Sequence, residues 1–289
     1  MNAPPLGRLV LVLGKGGVGK STVAEAIARG TALRGRACAL VGFGDADASA
    51  VVDDGVERIV LDADSAIARA AVPLFRSAVV TRIVLANFAI KRLARAAPVL
   101  RELALLECVR QIAAARPSAV VVVDMPATGH GVAWLRAPRQ VLALLPRGPA
   151  KRFVEEVERE VNGTHASSVV VTLPEPLALR ETVELCHSLR DVVGKTPAWI
   201  IVNRMPRACA DEALALATAL LDRIEPAARP AAAALVGAIA SRSRAWDRAR
   251  SVISSTLAGE AVAWSTIPEM GAGELADVLA RSFAAEAAA

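Results

Sequence analysis

Apolar positions along the chain follow two alternating rhythms. Short runs of branched aliphatic residues lie at 9–13, 36–43, 57–62, 118–123, 168–173, 198–202 and 261–267. Between them, apolar residues recur every three or four positions in longer tracts: from 22 onward, at 65–115, 139–161, 177–193 and 211–257, and from 273. The short runs predict strands buried on both faces, and the longer tracts predict helices. Strand and helix in turn predict an α/β fold, a doubly wound, mostly parallel sheet with helices on both sides. In such a sheet the ligand site lies beyond the carboxyl ends of the strands. No repeat or low-complexity linker divides the chain, so a single domain over 1–289 is expected. The tract at about 65–115 is expected as a helical subdomain, inserted between the third strand and the strand ending at Asp124. Pro73 and Pro98 within it suit first-turn positions.

Chemistry enters at the end of the first strand, with Gly14-Lys15-Gly16-Gly17-Val18-Gly19-Lys20-Ser21-Thr22. An apolar strand, a glycine loop closing on Gly-Lys-Ser and a following helix form the context of a phosphate loop. Glycines let successive backbone N–H groups point inward, onto phosphate oxygens at a helix N-terminus. Lys20 is expected to reach the β- and γ-phosphates of a bound nucleotide, and the Ser21 hydroxyl to stand on Mg²⁺. Asp124, closing the valines 120–123, is placed to hold the same ion directly or through water. ATP and Mg²⁺ are therefore the expected cofactors of a P-loop NTPase.

Lys15 adds a second lysine, which is the deviant Walker A signature. Here the chain resembles the dimeric ATPases that include ParA and MinD, the nitrogenase iron protein and the ArsA arsenite-pump family. In those families the first lysine crosses to the partner's nucleotide, so the resemblance implies a homodimer or a pair with a related ATPase subunit. Asp124-Met125-Pro126-Ala127-Thr128-Gly129-His130 narrows it. The segment is similar to the Asp-Thr-Ala-Pro-Thr-Gly-His switch II of the ArsA and tail-anchored-protein-targeting ATPases, and this chain looks like a divergent, bacterial-type relative. Residues 171–182, with Pro174-Glu175-Pro176, resemble that family's strand-Pro-Glu-Pro-helix segment. Ile200-Ile201-Val202-Asn203-Arg204 resembles its Val-Val-Asn-Gln segment, which implies that Asn203 recognises adenine. An amide suits a base edge because it donates and accepts at once. Ile267-Pro268-Glu269-Met270-Gly271 corresponds loosely to the closing loop beside the base, which brings Pro268 and Glu269 into the expected site.

The resemblance breaks in switch I. Family members carry Ser-Thr-Asp-Pro-Ala-His or Ser-Thr-Asp-Pro-Ala-Ser there, whose aspartate orients the attacking water. This chain reads Gly42-Phe43-Gly44-Asp45-Ala46-Asp47-Ala48-Ser49. Counted without gaps from Gly35, the catalytic place falls on Gly44. Asp45 stands one residue late and Asp47 is the next candidate. Phosphoryl transfer rests on positioning, so slow hydrolysis is expected, with Lys15, Lys20 and Asp45 or Asp47 as its catalytic groups. The eukaryotic targeting ATPases also share a zinc through paired CxxC sequences, and this chain has none. Cys38, Cys108, Cys186 and Cys209 are dispersed and read as small buried apolar residues rather than metalloid ligands.

Composition trims the alternatives. Hydrophobic residues make up 54% of the chain and aromatics 3%, so Ala, Val and Leu must fill the core. The net charge of +5 permits anionic partners, yet no dense basic run with interleaved aromatics marks a nucleic-acid groove. No leader segment or spanning helix is evident, and a cytoplasmic location is expected. Residues 78–90 are apolar nearly all round. Phe75, Val79, Ile83, Phe88 and Ile90 are either subdomain core or, as the resemblance implies, a surface for a hydrophobic or transmembrane client segment. A peripheral membrane partner is compatible with this. A ParA/MinD-like positioning ATPase is the alternative, disfavoured by the Thr-Gly-His match and by a C-terminal helix that is not basic. A weakly hydrolysing partner in a heterodimer is the other.

Overall fold

A computed structural model describes residues 4–44, 50–75, 98–127, 130–206, 211–260, 262–268 and 270–286. Among the described residues eight strands form one sheet: β1 (Leu9–Gly14), β2 (Cys38–Phe43), β3 (Ala50–Asp53), β4 (Val56–Leu61), β5 (Val120–Asp124), β6 (Ala166–Thr172), β7 (Trp199–Met205) and β8 (Trp264–Pro268). Their spatial order is β3-β4-β2-β5-β1-β6-β7-β8, parallel throughout except for β3. The expected parallel α/β sheet is present. The helices between the strands are α1 (Lys20–Leu33), α2 (Ala63–Phe75), α3 (Pro98–Ala114), α4 (His130–Leu144), α5 (Pro149–Val161), α6 (Pro176–Val193), α7 (Asp211–Leu220), α8 (Arg229–Leu257) and α9 (Ala272–Glu286).

Alternation along β1 shows how the two layers arise. Leu9, Leu11 and Leu13 face a core built with α2 to α6 and the end of α8. Val10 and Val12 face a second core, built with α1 and α9. All six residues of β1 are buried, as a strand covered on both sides requires. Glu107 of α3 is fully buried, which is tolerable because Arg110 grips it with Nε at 2.6 Å and Nη2 at 2.8 Å. Gln111 adds a third bond to the same carboxylate at 2.9 Å.

Several boundaries depart from the sequence expectation. The strand expected third is the fourth, because β3 pairs antiparallel with it across the turn Asp54-Gly55, both at positive φ. Helices α2 and α3 therefore follow β4, and residues 76–97, including Val79, Ile83, Phe88 and Ile90, lie outside the described residues. The tract 139–161 is not one helix. Pro146, Gly148 and Pro149 separate α4 from α5, with Pro149 at the first turn of α5. The tract 211–257 is likewise broken, by a short 3₁₀ turn at Leu221–Arg223 and by the loop before Arg229.

Candidate functional site

In the spatial order of the sheet, β1 is flanked by β5 and β6, and the chain winds outward from it in both directions. That switch point opens a crevice at the carboxyl ends of the strands, where a ligand is received. The glycine loop occupies it, between the end of β1 and the start of α1.

Three glycines of the loop adopt φ values that other residues resist: 151° at Gly14, 83° at Gly17 and 92° at Gly19. Close approach adds a second reason at two of them. A Cβ on Gly14 would stand 2.4 Å from the Val171 carbonyl oxygen of β6, and one on Gly19 would stand 2.4 Å from Asn203 Nδ2. Gly16 and Gly17 face open space, apart from an ordinary contact of Gly16 with Ala127. Gly19 caps α1 without any side-chain bond to its N-terminal amides, so those donors stay available to an anion.

The charged groups are arranged around this cradle. Lys20 Nζ donates to the Lys15 carbonyl at 3.1 Å, bridging the loop from within. Burial pulls its pKa below the ordinary lysine value, partly offset by the Asp124 carboxylate. Asp124 sits at the tip of β5 in register with Val12 of β1. Burial raises its pKa, against a hydrogen bond from the Ser21 hydroxyl and the charge of Lys20. Among the described residues its buried Oδ1 has no hydrogen-bond partner. An orphaned carboxylate oxygen beside a serine hydroxyl is a hard, oxygen-rich half-site, which fits a magnesium ion with its remaining positions left to water and phosphate.

Asn203 ends up in a place that strand reasoning did not anticipate. Its side chain is buried, Nδ2 donates to the Val18 carbonyl at 2.9 Å, and Oδ1 accepts from the Arg204 N–H at 2.9 Å. Arg204 itself lies at φ 54°, a left-handed turn that the Asn203 side chain stabilises. In this structure the amide braces the glycine loop from behind. Pro268 of β8 lies opposite Met205 in the ladder, two residues beyond Asn203.

Lys15 reaches outward and meets Glu181 of α6, with Nζ 2.5 Å from Oε1. Glu181 lies in the Pro-Glu-Pro-helix segment but was not assigned a role by its sequence pattern. Phe43 at the end of β2 packs edge-on against Trp134 of α4, ring centroids 4.7 Å apart. Beside that contact is a cavity of about 360 Å³, lined by Phe43, Gly44, Leu61, Arg101, Leu105 and Trp134 among others. The Gly44 N–H is tied to the Leu61 carbonyl at 3.2 Å, which fixes the last residue before position 45.

The residues read from sequence thus divide into two groups. Those from Gly14 to Thr22, with Asp124, Asn203 and Pro268, gather at one edge of the sheet. Asp45, Asp47, Thr128, Gly129 and Glu269 lie outside the described residues, and of His130 only the backbone, opening α4, is described. Cys38, Cys108 and Cys186 are buried, and burial pushes their thiols up to about 12, about 11 and about 12. Cys209 is outside the described residues. No described helix is long and apolar enough to cross a membrane. No protein-family model matches the chain, and no curated protein does either.

Proposed function

We propose that the chain is a P-loop ATPase of the ArsA and tail-anchored-targeting type, working as a dimer. In this reading Mg-ATP closes two facing nucleotide sites, and closure alters how the helices around residues 65–115 bind a hydrophobic protein segment. The observation that carries it is the junction of the glycine loop with Asp124: a cradle of positive-φ glycines, an internal lysine and an orphaned carboxylate oxygen meet at the sheet's switch point. A nucleotide triphosphate with its ion satisfies each of these at once.

The chain's own groups then have separable tasks. Loop amides at the start of α1 hold the phosphates, and Lys20 exchanges its bond to the Lys15 carbonyl for phosphate oxygens. Ser21 and Asp124 would hold magnesium, which supplies neutralisation of charge on the β- and γ-phosphates. Asn203 fixes the loop from behind, whether or not it also touches the base. Lys15 leaves Glu181 to reach the partner's nucleotide. Asp45 orients the attacking water, with Asp47 as the second candidate.

Gly44 motivates a second reading. It stands without a side chain at the place that an ungapped count gives to the catalytic aspartate, at the fixed end of β2. In that reading the chain binds ATP without turnover and serves an active relative as partner. Steady-state phosphate release with Mg-ATP separates the two, measured for wild type, Lys20→Ala and Asp45→Asn. Turnover in wild type that falls to the Lys20→Ala blank in both variants supports the cycling ATPase. ATP binding with wild-type release equal to that blank would sink it and leave the inactive partner.

A further inference from the structure

The cavity beside Phe43 and Trp134 lies at the carboxyl ends of β2, β4 and β5, the edge at which parallel sheets receive ligands. No described residue of the glycine loop borders it. Its floor is apolar: Leu61 and Leu105 are buried, and Trp134 is buried edge-on against Phe43. Gly44 opens the gap. Its N–H is tied to the Leu61 carbonyl, yet it brings no side chain to cover Leu61. A Cβ there would meet only Val60 Cγ1, at an ordinary 3.5 Å, so crowding does not demand the glycine. Protein interiors seldom leave voids larger than a water molecule, whereas about 360 Å³ is within the range of small-molecule pockets.

Charge stands only at the mouth. Pro98, Arg101, Glu102 and Leu105 fall on one face of α3, at the spacing i, i+3, i+4 and i+7. Leu105 is at the buried end of that face and Arg101 nearer its exposed end, about 6 Å away in helix rise. Glu102 is already engaged. Arg101 has neither an ion pair nor a side-chain hydrogen bond among the described residues, and no other described cation borders the cavity. A guanidinium takes a carboxylate through two parallel bonds, and aromatic and branched walls take an apolar body. One cation matches a singly charged head, where a phosphate would bring nearly two charges.

We propose that this cavity binds a short carboxylic acid with an aryl or branched-alkyl body. The carboxylate sits on Arg101 at the mouth, and the body lies between Leu61, Leu105 and the Phe43–Trp134 pair. The rise of about 6 Å from Arg101 to Leu105 suits a ring joined to its carboxylate by a short methylene chain. The inference goes beyond the nucleotide reading and does not depend on it, because the glycine loop contributes nothing to the cavity.

Titration of the nucleotide-free protein with hydrocinnamate, followed by tryptophan fluorescence and by calorimetry, tests this. Saturable binding is expected, with the fluorescence change lost in Trp134→Phe while the heat remains. The uncharged amide of the same acid should bind about 10-fold more weakly or worse, the worth of a hydrogen bond to a charged group. Arg101→Gln, at an exposed position, should keep the melting temperature and bring the acid down to the level of the amide. Arg101→Lys should recover part of the difference. Lys20→Ala should bind the acid as wild type does, which separates this site from the glycine loop. No saturation by about 10 mM acid, or equal affinity for acid and amide, overturns the proposal. So does a preference for the acid that survives Arg101→Gln, or one that vanishes in Lys20→Ala. Binding of a fluorescent ATP, read in parallel, keeps the two ideas apart. A chain that takes the acid yet binds no nucleotide sinks the ATPase reading alone.

Discussion

Lys15 Nζ lies 2.5 Å from Glu181 Oε1, so the outer lysine of the glycine loop is held by its own chain. Both side chains are substantially solvated, and an exposed pair of this kind is worth about 0.2–1 kcal/mol. The contact is therefore strong enough to bias the lysine and weak enough to be given up. In the proposed dimer it must break before Lys15 can reach across.

Glu181→Gln should consequently raise ATP-dependent pairing, by at most about 30-fold, since a two-fold dimer breaks two such contacts of about 1 kcal/mol each. Lys15→Ala should lower turnover without lowering the affinity of the monomer for ATP. Sedimentation and phosphate release on the same samples check both. Equal pairing in Glu181→Gln and wild type would show that the contact restrains nothing.

Asn203→Ala leaves the Val18 carbonyl and the Arg204 N–H without their partners, a loss of about 1–3 kcal/mol in unfolding free energy. Nucleotide affinity should fall with it, because the loop loses its brace. Comparing ATP with GTP tells bracing from base recognition. A brace alone weakens both nucleotides alike, whereas an adenine contact makes the ATP preference collapse.

Asp124→Asn should leave the nucleotide-free protein as stable as wild type or more so, since the buried charge is opposed by desolvation. The same substitution should remove the stabilisation that Mg-ATP confers on wild type. Thermal melts with and without Mg-ATP give both numbers. A variant that melts far below wild type when empty would mean that Asp124 is chiefly structural.

Arg116 grips Glu57 through Nε at 2.6 Å and through Nη2, which holds the Glu57 pKa below its ordinary value. A depressed folded pKa means that the unfolded chain binds the proton more readily. The stabilisation is then fully present above the unfolded pKa of about 4.3, and it is lost as pH falls through the folded value. Urea unfolding should show a constant gap between wild type and Glu57→Gln at neutral pH, narrowing below pH of about 4. A gap that persists into acid would assign the effect to packing.

Alkylation reports on the core. With thiols pushed up to about 12, about 11 and about 12, Cys38, Cys108 and Cys186 should resist iodoacetamide in the native protein at pH of about 8. Mass spectrometry should find at most the Cys209 adduct before denaturation, and all four after it.

The parts of this molecule that were legible in sequence are those encoded within one turn or one strand. Gly14 to Ser21 and the run of valines ending at Asp124 declare themselves locally, and both lie where a strand-loop-helix reading puts them. Local signals were also passed over. Asp54-Gly55 is a hairpin turn signal that would have revealed β3, and Pro146 with Pro149 would have split α4 from α5. Other features depend on residues distant in the chain, and no period carries them. Glu181 meets Lys15 across 166 positions, and Asn203 meets Val18 across 185. Helices α7 and α8 look like one long helical tract in sequence because their alanines and leucines favour helix throughout.

Lysine occurs only at positions 15, 20, 91, 151 and 195, while arginine supplies most of the described ion pairs. Guanidinium groups ignore acylating reagents that attack neutral amines. Of the described lysines, Lys20 and Lys195 are both shifted toward their neutral, nucleophilic forms by burial, and each is engaged with a backbone carbonyl, of Lys15 and of Gly163. A sparing dose of an amine acylator therefore becomes a footprint of the glycine loop once Lys195 and Lys151, both remote from it in sequence, serve as internal references. Shielding by a phosphate ligand, and the departure of Lys15 from Glu181, would each be written into the same two modified peptides.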